Sequence, residues 1–123
     1  MSLELTATQA LGLWHRVTLQ QVREDGPDLT MRQLAILLEI YLVPPPHTVR
    51  GLAATLDVTK PVVTRALDTL GEMGLVDRVR DELDRRSVVV KRTVGGALFL
   101  EKFGDRVIAQ ARALGSRAPM DGQ

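Results

Sequence analysis

Charged residues concentrate in one stretch of this chain, residues 77–86, where eight of the ten positions in DRVRDELDRR carry a charge. Three valines follow shortly after, at positions 88–90. An arginine such as Arg85 or Arg86 can enter a narrow groove of strongly negative potential, such as the minor groove of DNA, and the nearby aspartates can accept backbone N–H groups in a turn. The same arginines can instead neutralise the acidic residues beside them, which contributes under about 1 kcal/mol per exposed pair. Taken alone, this stretch leaves both interpretations open.

A second group of possible donors lies in residues 59–72, TKPVVTRALDTLGE. The spacing of its apolar residues predicts a helix that buries Val63, Ala66, Leu67 and Leu70. The N-cap and outer face of this helix then present Thr59, Lys60, Val62, Thr64 and Arg65. Cations there can donate to guanine or to phosphate, hydroxyls can reach a base edge, and apolar atoms can pack on a thymine methyl group. An ordinary solvated helix face has the same composition, so the pattern alone does not decide between the two.

Other chemistries find little support in the sequence. His15 and His47 are far apart and lack a carboxylate cluster, so we expect surface or packing roles rather than metal ligation. The acidic residues 81–84 lack the alternating oxygen ligands, glycine and terminal glutamate of a calcium loop. The serines and threonines have no plausible histidine base. We therefore predict no metal site, no catalytic site and no cofactor.

The periodicity predicts mainly α-helical structure. Helices are expected over residues 3–24, from Thr30 to the VPPP stop at 43–46, and over 48–56, 59–72 and 93–114. Buried stripes are predicted at Leu34, Leu37, Leu38 and Tyr41 in the second helix. In the last helix they are predicted at Ala97, Leu100, Phe103, Val107, Ala111 and Leu114.

Between residues 75 and 92 the pattern changes to two short strands rich in β-branched residues. Asp81 to Asp84 form the predicted hairpin loop. Arg85 and Arg86 would then start the second strand, so that only one of the two faces outward. Two helices joined by a short turn and followed by a hairpin are the plan of a winged helix-turn-helix, here mainly α with a small β-hairpin wing.

Length and charge bound the function only loosely. The 123 residues, with a net charge of +1, predict one domain or one domain with helical extensions. Residues 48–92 carry nine basic and seven acidic groups, which is only slightly basic. The chain has no cysteine, which excludes disulfides and thiolate chemistry and is compatible with a reducing cytoplasm. We expect neither a signal peptide nor a membrane helix.

From about Asp28 to Leu100 the sequence resembles the MarR family of winged-helix transcriptional regulators. The resemblance lies in DLTMRQLAILLEI, in LAATLDVTKPVVTRALDTLGEMGLVDRVR, in the DELDRRS element and in TVGG at the start of the last helix. It implies a cytoplasmic bacterial regulator, associated with the nucleoid when bound, that acts as a homodimer on double-stranded DNA and is released by a small anionic or phenolic effector. Repression is the implied effect.

The resemblance also implies an organisation and a set of contacts. Residues 1–27 and 93–115 would be dimerisation helices, residues 28–92 the DNA-binding domain, and residues 116–123 a disordered tail. Asp84 would hold the wing, Arg86 would reach the minor groove, and Arg85 would touch phosphate. Further phosphate candidates are Arg50, Lys91 and Arg92. The implied dimer interface comprises Leu11, Trp14, Leu100, Phe103, Val107, Ala111 and Leu114.

The sequence departs from the family pattern at three places. Glu82 adds negative charge where a proline is often found, Gly51 replaces an acidic residue, and the short terminal helices offer less dimer surface than is usual. Together with the weak basicity, the acidic wing leaves open a winged-helix module that binds protein rather than DNA.

Overall fold

The computed structural model describes residues 4–24 and 26–116 and is mainly helical, with one small antiparallel sheet. The elements in chain order are α1 (Ala7–Arg23), α2 (Met31–Leu42), β1 (His47–Thr48), α3 (Val49–Leu56), α4 (Lys60–Glu72), β2 (Val76–Arg80), β3 (Val88–Arg92) and α5 (Val94–Ser116). These elements form two compact units, one from residues 29–100 and one from the segments on either side. The predicted winged-helix class is confirmed.

Local capping sets where the first two helices begin. Thr30 and Gln33 form the predicted reciprocal capping box at the start of α2. An equivalent box of Thr6 and Gln9 starts α1 at Ala7, so the predicted start at residue 3 is wrong. The Thr6 hydroxyl oxygen accepts from the Gln9 N–H, a first-turn donor that has no partner within the helix.

The buried face of α2 differs from the predicted stripe. Ile36, Leu37 and Ile40 are fully buried, whereas Leu34, Leu38 and Tyr41 are only half-buried. Nearly every position from residue 34 to residue 42 is apolar, so the period alone could not select which face turns inward.

The core of the unit formed by residues 29–100 fixes α3 and α4. All four residues predicted on the inner face of α4 are buried there, together with Leu52 and Ala53 of α3. Thr48 caps α3 by accepting from the Gly51 N–H at 2.9 Å. Thr59 occupies the N-cap position of α4 but forms no side-chain capping bond, which corrects the capping role predicted for it. Between the two helices Asp57 adopts a left-handed conformation, with φ at 56°.

The sheet contains one strand more than the sequence predicted. Strand β3 lies in the centre, with β2 on one side and the two-residue strand β1 on the other. His47 pairs with Val90, and Arg78 on the other side pairs with the same valine. Two residues are too few to show the alternation of apolar and polar side chains by which a strand is recognised in a sequence. Strand β1 is defined only by its pairing with β3.

A hydrogen-bonded node around the Tyr41 hydroxyl ties α2 to the start of α5. The hydroxyl accepts from the Thr93 N–H at 2.8 Å and lies 2.9 Å from the Leu75 carbonyl oxygen. The Thr93 side chain donates to the Gly74 carbonyl at 2.7 Å and accepts from the Gly96 N–H. Thr93 therefore caps α5, as predicted, and a Cβ at residue 96 would overlap the Tyr41 hydroxyl.

The other unit contains α1 and the part of α5 after residue 100. Trp14 and Phe103 meet edge to face with ring centroids 6.4 Å apart. The buried Arg106 bonds to Gln21 and pairs with Glu24 at 3.3 Å. Ser116 is the last residue of α5, and the rest of the predicted disordered tail, residues 117–123, lies outside the described residues.

Candidate nucleic-acid interface

The outer face of α4 presents the side chains predicted from the sequence. Thr59, Lys60, Thr64 and Arg65 are exposed, and Val62 is half-buried. The Arg65 side chain forms no hydrogen bond or ion pair with any other described residue. The opposite face of α4 is buried in the core, so the helix backbone fixes the positions from which these side chains extend.

Arg32 joins this face although sequence reasoning did not select it. Together with Thr30, Gln33, Arg65 and Thr69 it lines a shallow cavity of about 240 Å³ between the start of α2 and α4. The signal available in the sequence was a cation in the first turn of the helix that packs on α4. Its closeness to Arg65 depends on how the two helices cross, which local patterns do not specify.

The wing is a seven-residue loop, residues 81–87, between β2 and β3. A loop of four residues or more was expected, and the loop extends beyond Asp84, so Arg85 and Arg86 lie in it and not, as predicted, at the start of β3. Both are exposed, because the strand alternation expected to separate them does not apply. The Arg80 side chain donates a hydrogen bond to the Arg85 carbonyl.

Two aspartates shape this loop, as the sequence predicted. Asp81 accepts from the Leu83 N–H at 2.9 Å, and Asp84 accepts from the Arg86 N–H at 3.1 Å. The Ser87 hydroxyl lies 3.3 Å from the second oxygen of Asp84. The Arg86 Nε lies 3.5 Å from an Asp84 carboxylate oxygen, and the arginine side chain is 94% exposed. Because water screens such an exposed pair, it contributes little to stability.

A second cavity of about 240 Å³ lies beside the wing, bounded by the starts of α3 and α4 and by the end of the loop. Its polar lining residues are Thr48, Arg50, Lys60, Thr64, Arg86 and Ser87. Three cations from separate segments therefore face one concave surface. Lys91 is also exposed, on β3, but lines a different cavity with Pro45 and Pro46.

Arg92, one of the predicted phosphate candidates, directs much of its guanidinium towards the domain itself. Its Nε donates to the Ile40 carbonyl at 2.9 Å, a terminal nitrogen donates to the Val43 carbonyl at 3.2 Å, and its guanidinium lies 5.8 Å from the Tyr41 ring centroid. These contacts satisfy the carbonyls at the end of α2, which otherwise lack helical partners. Arg92 thus stabilises the domain.

His47 has a packing role, as expected from the sequence. It is 7% exposed, and its Nε2 lies 2.8 Å from the Val43 carbonyl oxygen. His15 is exposed on α1. In residues 4–24 and 26–116 no group of three histidine or acidic side chains is placed to hold a metal ion.

The residues predicted for a dimer interface lie on α1 and α5. Leu11 and Trp14 are exposed by 69% and 41%. Phe103, Val107, Ala111 and Leu114 are half-buried. Ala97 is exposed, although it was predicted to belong to the buried stripe of the last helix. Leu100 packs against the core of residues 29–100. None of the helices in the described ranges is long and apolar enough to cross a membrane.

Comparison with known proteins agrees with this architecture. A MepR variant from S. aureus bound to an oligodeoxyribonucleotide superposes with a TM-score of 0.76 at 22% identity, covering 96% of this chain and 88% of that one. A MarR mutant from E. coli gives a TM-score of 0.64 at 24% identity, covering 98% and 90% of the two chains. No curated protein sequence matches significantly. The MarR family pattern matches residues 28–87, from the approach to α2 to the end of the wing. The chain belongs to the MarR family of winged helix-turn-helix transcriptional regulators.

Proposed function

We propose that this regulator binds double-stranded DNA sequence-specifically as a homodimer and represses transcription. The observation that carries the proposal is the array on α4, where exposed Lys60, Thr64 and Arg65 stand on a helix whose other face is buried. A MarR-family neighbour of the same fold was solved with an oligodeoxyribonucleotide, which supports a nucleic-acid partner. The protein is proposed to act in the bacterial cytoplasm, at the nucleoid when bound, as a binding protein and not as an enzyme.

In the proposed complex, α4 enters the major groove. Arg65 can donate two parallel hydrogen bonds to guanine, and Thr64 can reach a base edge or a phosphate. Arg32, Arg50 and Lys91 would contact the sugar–phosphate backbone, which positions the protein without reading sequence. The wing lies against the flanking DNA beside this groove.

The proposed dimer uses the apolar surface of α1 and α5. Leu11, Trp14, Val22 and Ile108 are exposed apolar side chains of these two helices, and the proposed dimer would bury them. Two-fold symmetry would place two α4 helices on half-sites centred about 10 bp apart. We further propose that a small anionic or phenolic effector favours a spacing that does not fit the operator, and so releases the DNA.

Selection from random duplexes, followed by a salt titration, tests the DNA-binding proposal. The selected duplexes should contain an inverted repeat, and log K should fall linearly with log salt, with a slope near −0.9 per phosphate contact. Retention of no duplex, or affinity that does not change with salt, would remove the proposal.

The alternative is a module that binds a protein partner. Leu83 is 98% exposed at the wing tip beside the acidic Glu82, a combination unsuited to the negative potential of DNA. Under this alternative the chain retains no duplex, and Leu83→Ala abolishes binding to its partner. Under the proposal above, Leu83→Ala changes operator affinity less than Arg65→Ala does.

The acceptor role of Asp84 gives a prediction about the wing. Asp84→Ala removes the acceptor for the Arg86 N–H, so we expect operator affinity to fall about threefold to tenfold, because the loop must be ordered on binding. Asp84→Asn keeps one acceptor oxygen and should lie much closer to the wild type. Fluorescence anisotropy measures both. Loss of charge alone would strengthen DNA binding equally in the two variants, and that outcome would contradict the scaffold role.

A further inference from the structure

Asp68 on α4 and Arg78 on β2 form a close ion pair that the proposed function does not use. A terminal nitrogen of Arg78 lies 2.7 Å from an Asp68 carboxylate oxygen, and the two side chains are 34% and 53% exposed, in that order. Arg78 follows the buried Val76 by two positions on β2, so it shares the sheet face that packs against the core. The pair therefore joins α4 to β2.

The backbone of Arg78 is held at the outer edge of β2. The Asp81 N–H donates to the Ser87 carbonyl at 3.0 Å, so alternation along the antiparallel ladder turns the backbone groups of Arg78 away from β3. The Arg78 N–H donates instead to the Asp77 carboxylate at 3.0 Å. The strand and this hydrogen bond together fix the position from which the Arg78 side chain extends towards α4.

Asp68 has a second cation within reach on its own helix. Arg65 precedes it by three positions, and residues at this spacing are neighbours on a helix surface, with Cβ atoms about 5–6 Å apart. No other cation of α4 lies three or four positions from Asp68. Asp68 nevertheless pairs with Arg78, and the Arg65 side chain has no partner among the described residues. The two arginines therefore compete for one carboxylate, and Arg78 holds it.

We infer that Arg78 is a positioning residue that keeps Arg65 available to DNA by holding the Asp68 carboxylate. The inference rests on the proposed DNA binding through Arg65, and it assigns Arg78 a role without contact to the duplex. When Arg78 is removed, the carboxylate is free to pair with Arg65 and to repel nearby phosphates. It acts from one helical turn away, which is within the screening length of about 8 Å at physiological ionic strength. Because exposed ion pairs are individually weak, the expected effect is a partial loss of affinity.

The first test is whether the loss of Arg78 weakens operator binding only while Asp68 is charged. Arg78→Ala should lower the affinity about threefold to tenfold in anisotropy titrations. Asp68→Asn removes the charge and keeps the shape of the side chain, so Arg78→Ala/Asp68→Asn should bind within about twofold of Asp68→Asn alone. A loss that persists in the Asp68→Asn background would mean that Arg78 acts on DNA binding independently of Asp68. That result, or an unchanged affinity in Arg78→Ala, would overturn the inference.

Two control variants separate this competition from net charge and from packing. Arg78→Ala/Asp105→Asn has the same net charge as Arg78→Ala/Asp68→Asn, but neutralises an exposed carboxyl group of α5, so the loss of affinity should remain. Arg78→Lys keeps a cation opposite Asp68 and should bind within about twofold of the wild type, because a contact through one nitrogen does not require the planar fork. Equal recovery with Asp105→Asn and Asp68→Asn would reduce the effect to net charge and contradict the role of Arg78.

The competition can also be measured without DNA. In the free, isotope-labelled protein, the Nε–H resonance of Arg65 should shift in Arg78→Ala, because Asp68 is then available to Arg65. It should return towards its wild-type position in Arg78→Ala/Asp68→Asn, which has no charged partner for Arg65. An Arg65 resonance that is the same in Arg78→Ala and in the wild type would overturn the inference.

The failures of the two proposals are distinguishable. Wild-type protein that retains no duplex removes the proposed function, whereas the Arg65 resonance still decides whether the two arginines compete for Asp68. Wild-type protein that binds its operator, with a loss in Arg78→Ala that Asp68→Asn does not relieve, removes only the role of Arg78. Thermal unfolding of each variant should match the wild type within a few degrees, because the ion pair is partly exposed to water and contributes little to stability.

Discussion

Gly96→Ala is expected to lower the free energy of unfolding by about 3–5 kcal/mol. A Cβ at residue 96 would overlap both the Tyr41 hydroxyl oxygen and the Leu75 carbonyl oxygen. Overpacking of this kind costs about 1–3 kcal/mol, and the hydrogen bonds of the displaced hydroxyl add about 1 kcal/mol each. Thermal unfolding followed by circular dichroism at fixed protein concentration should show a midpoint lower by on the order of 10–20 °C.

Gly71→Ala is the matched control for this prediction. A Cβ at residue 71 of α4 meets nothing within 4 Å, so the same substitution should be neutral or stabilise by up to about 1 kcal/mol. Tyr41→Phe removes one of the oxygens that the new methyl group meets. The double variant Tyr41→Phe/Gly96→Ala should therefore lose less stability than the sum of the two single variants. An unchanged midpoint in Gly96→Ala would contradict the close approach at Tyr41.

Arg65→Ala is expected to reduce affinity for the selected operator about 10- to 100-fold. Arg65 is exposed on α4 and has no side-chain partner among the described residues, so its donors are available to a base pair. A bidentate contact to guanine contributes about 1–3 kcal/mol of discrimination. Anisotropy titrations with the operator and with a scrambled duplex of equal length measure both affinity and specificity. The loss should be much greater on the operator.

Arg65→Lys separates charge from geometry at this position. Lysine keeps the positive charge but not the planar fork, so binding to the scrambled duplex should be nearly unchanged while discrimination falls. Unfolding stability should change by less than about 0.5 kcal/mol, because the side chain is on the surface. An equal loss on both duplexes in Arg65→Ala would identify a phosphate contact and place sequence reading elsewhere on α4.

Features that depend on near neighbours in the chain follow from the sequence alone. The capping box of Thr30 and Gln33, the buried residues of α4 and the aspartates of the wing were all predicted correctly. Each depends on residues within about four positions of one another, where helix and turn geometry alone sets the distances. The motifs in order and spacing were also enough to indicate the family.

Features that depend on distant partners became clear only from the fold. The largely apolar run in α2 did not reveal its buried face, because packing against α4 and the sheet selects Ile36 and Ile40. Strand β1 exists only through its pairing with β3.

The arginines illustrate the same division most clearly. Arg92 looked as available as Arg86 in the sequence, yet it satisfies two carbonyls about fifty positions earlier in the chain. Arg86 instead lines one cavity together with Arg50 and Lys60. Residue type and spacing determine which groups can bind an anion. Chain folding determines which of these groups are used to satisfy buried backbone oxygens, because such an oxygen is costly when it lacks a donor.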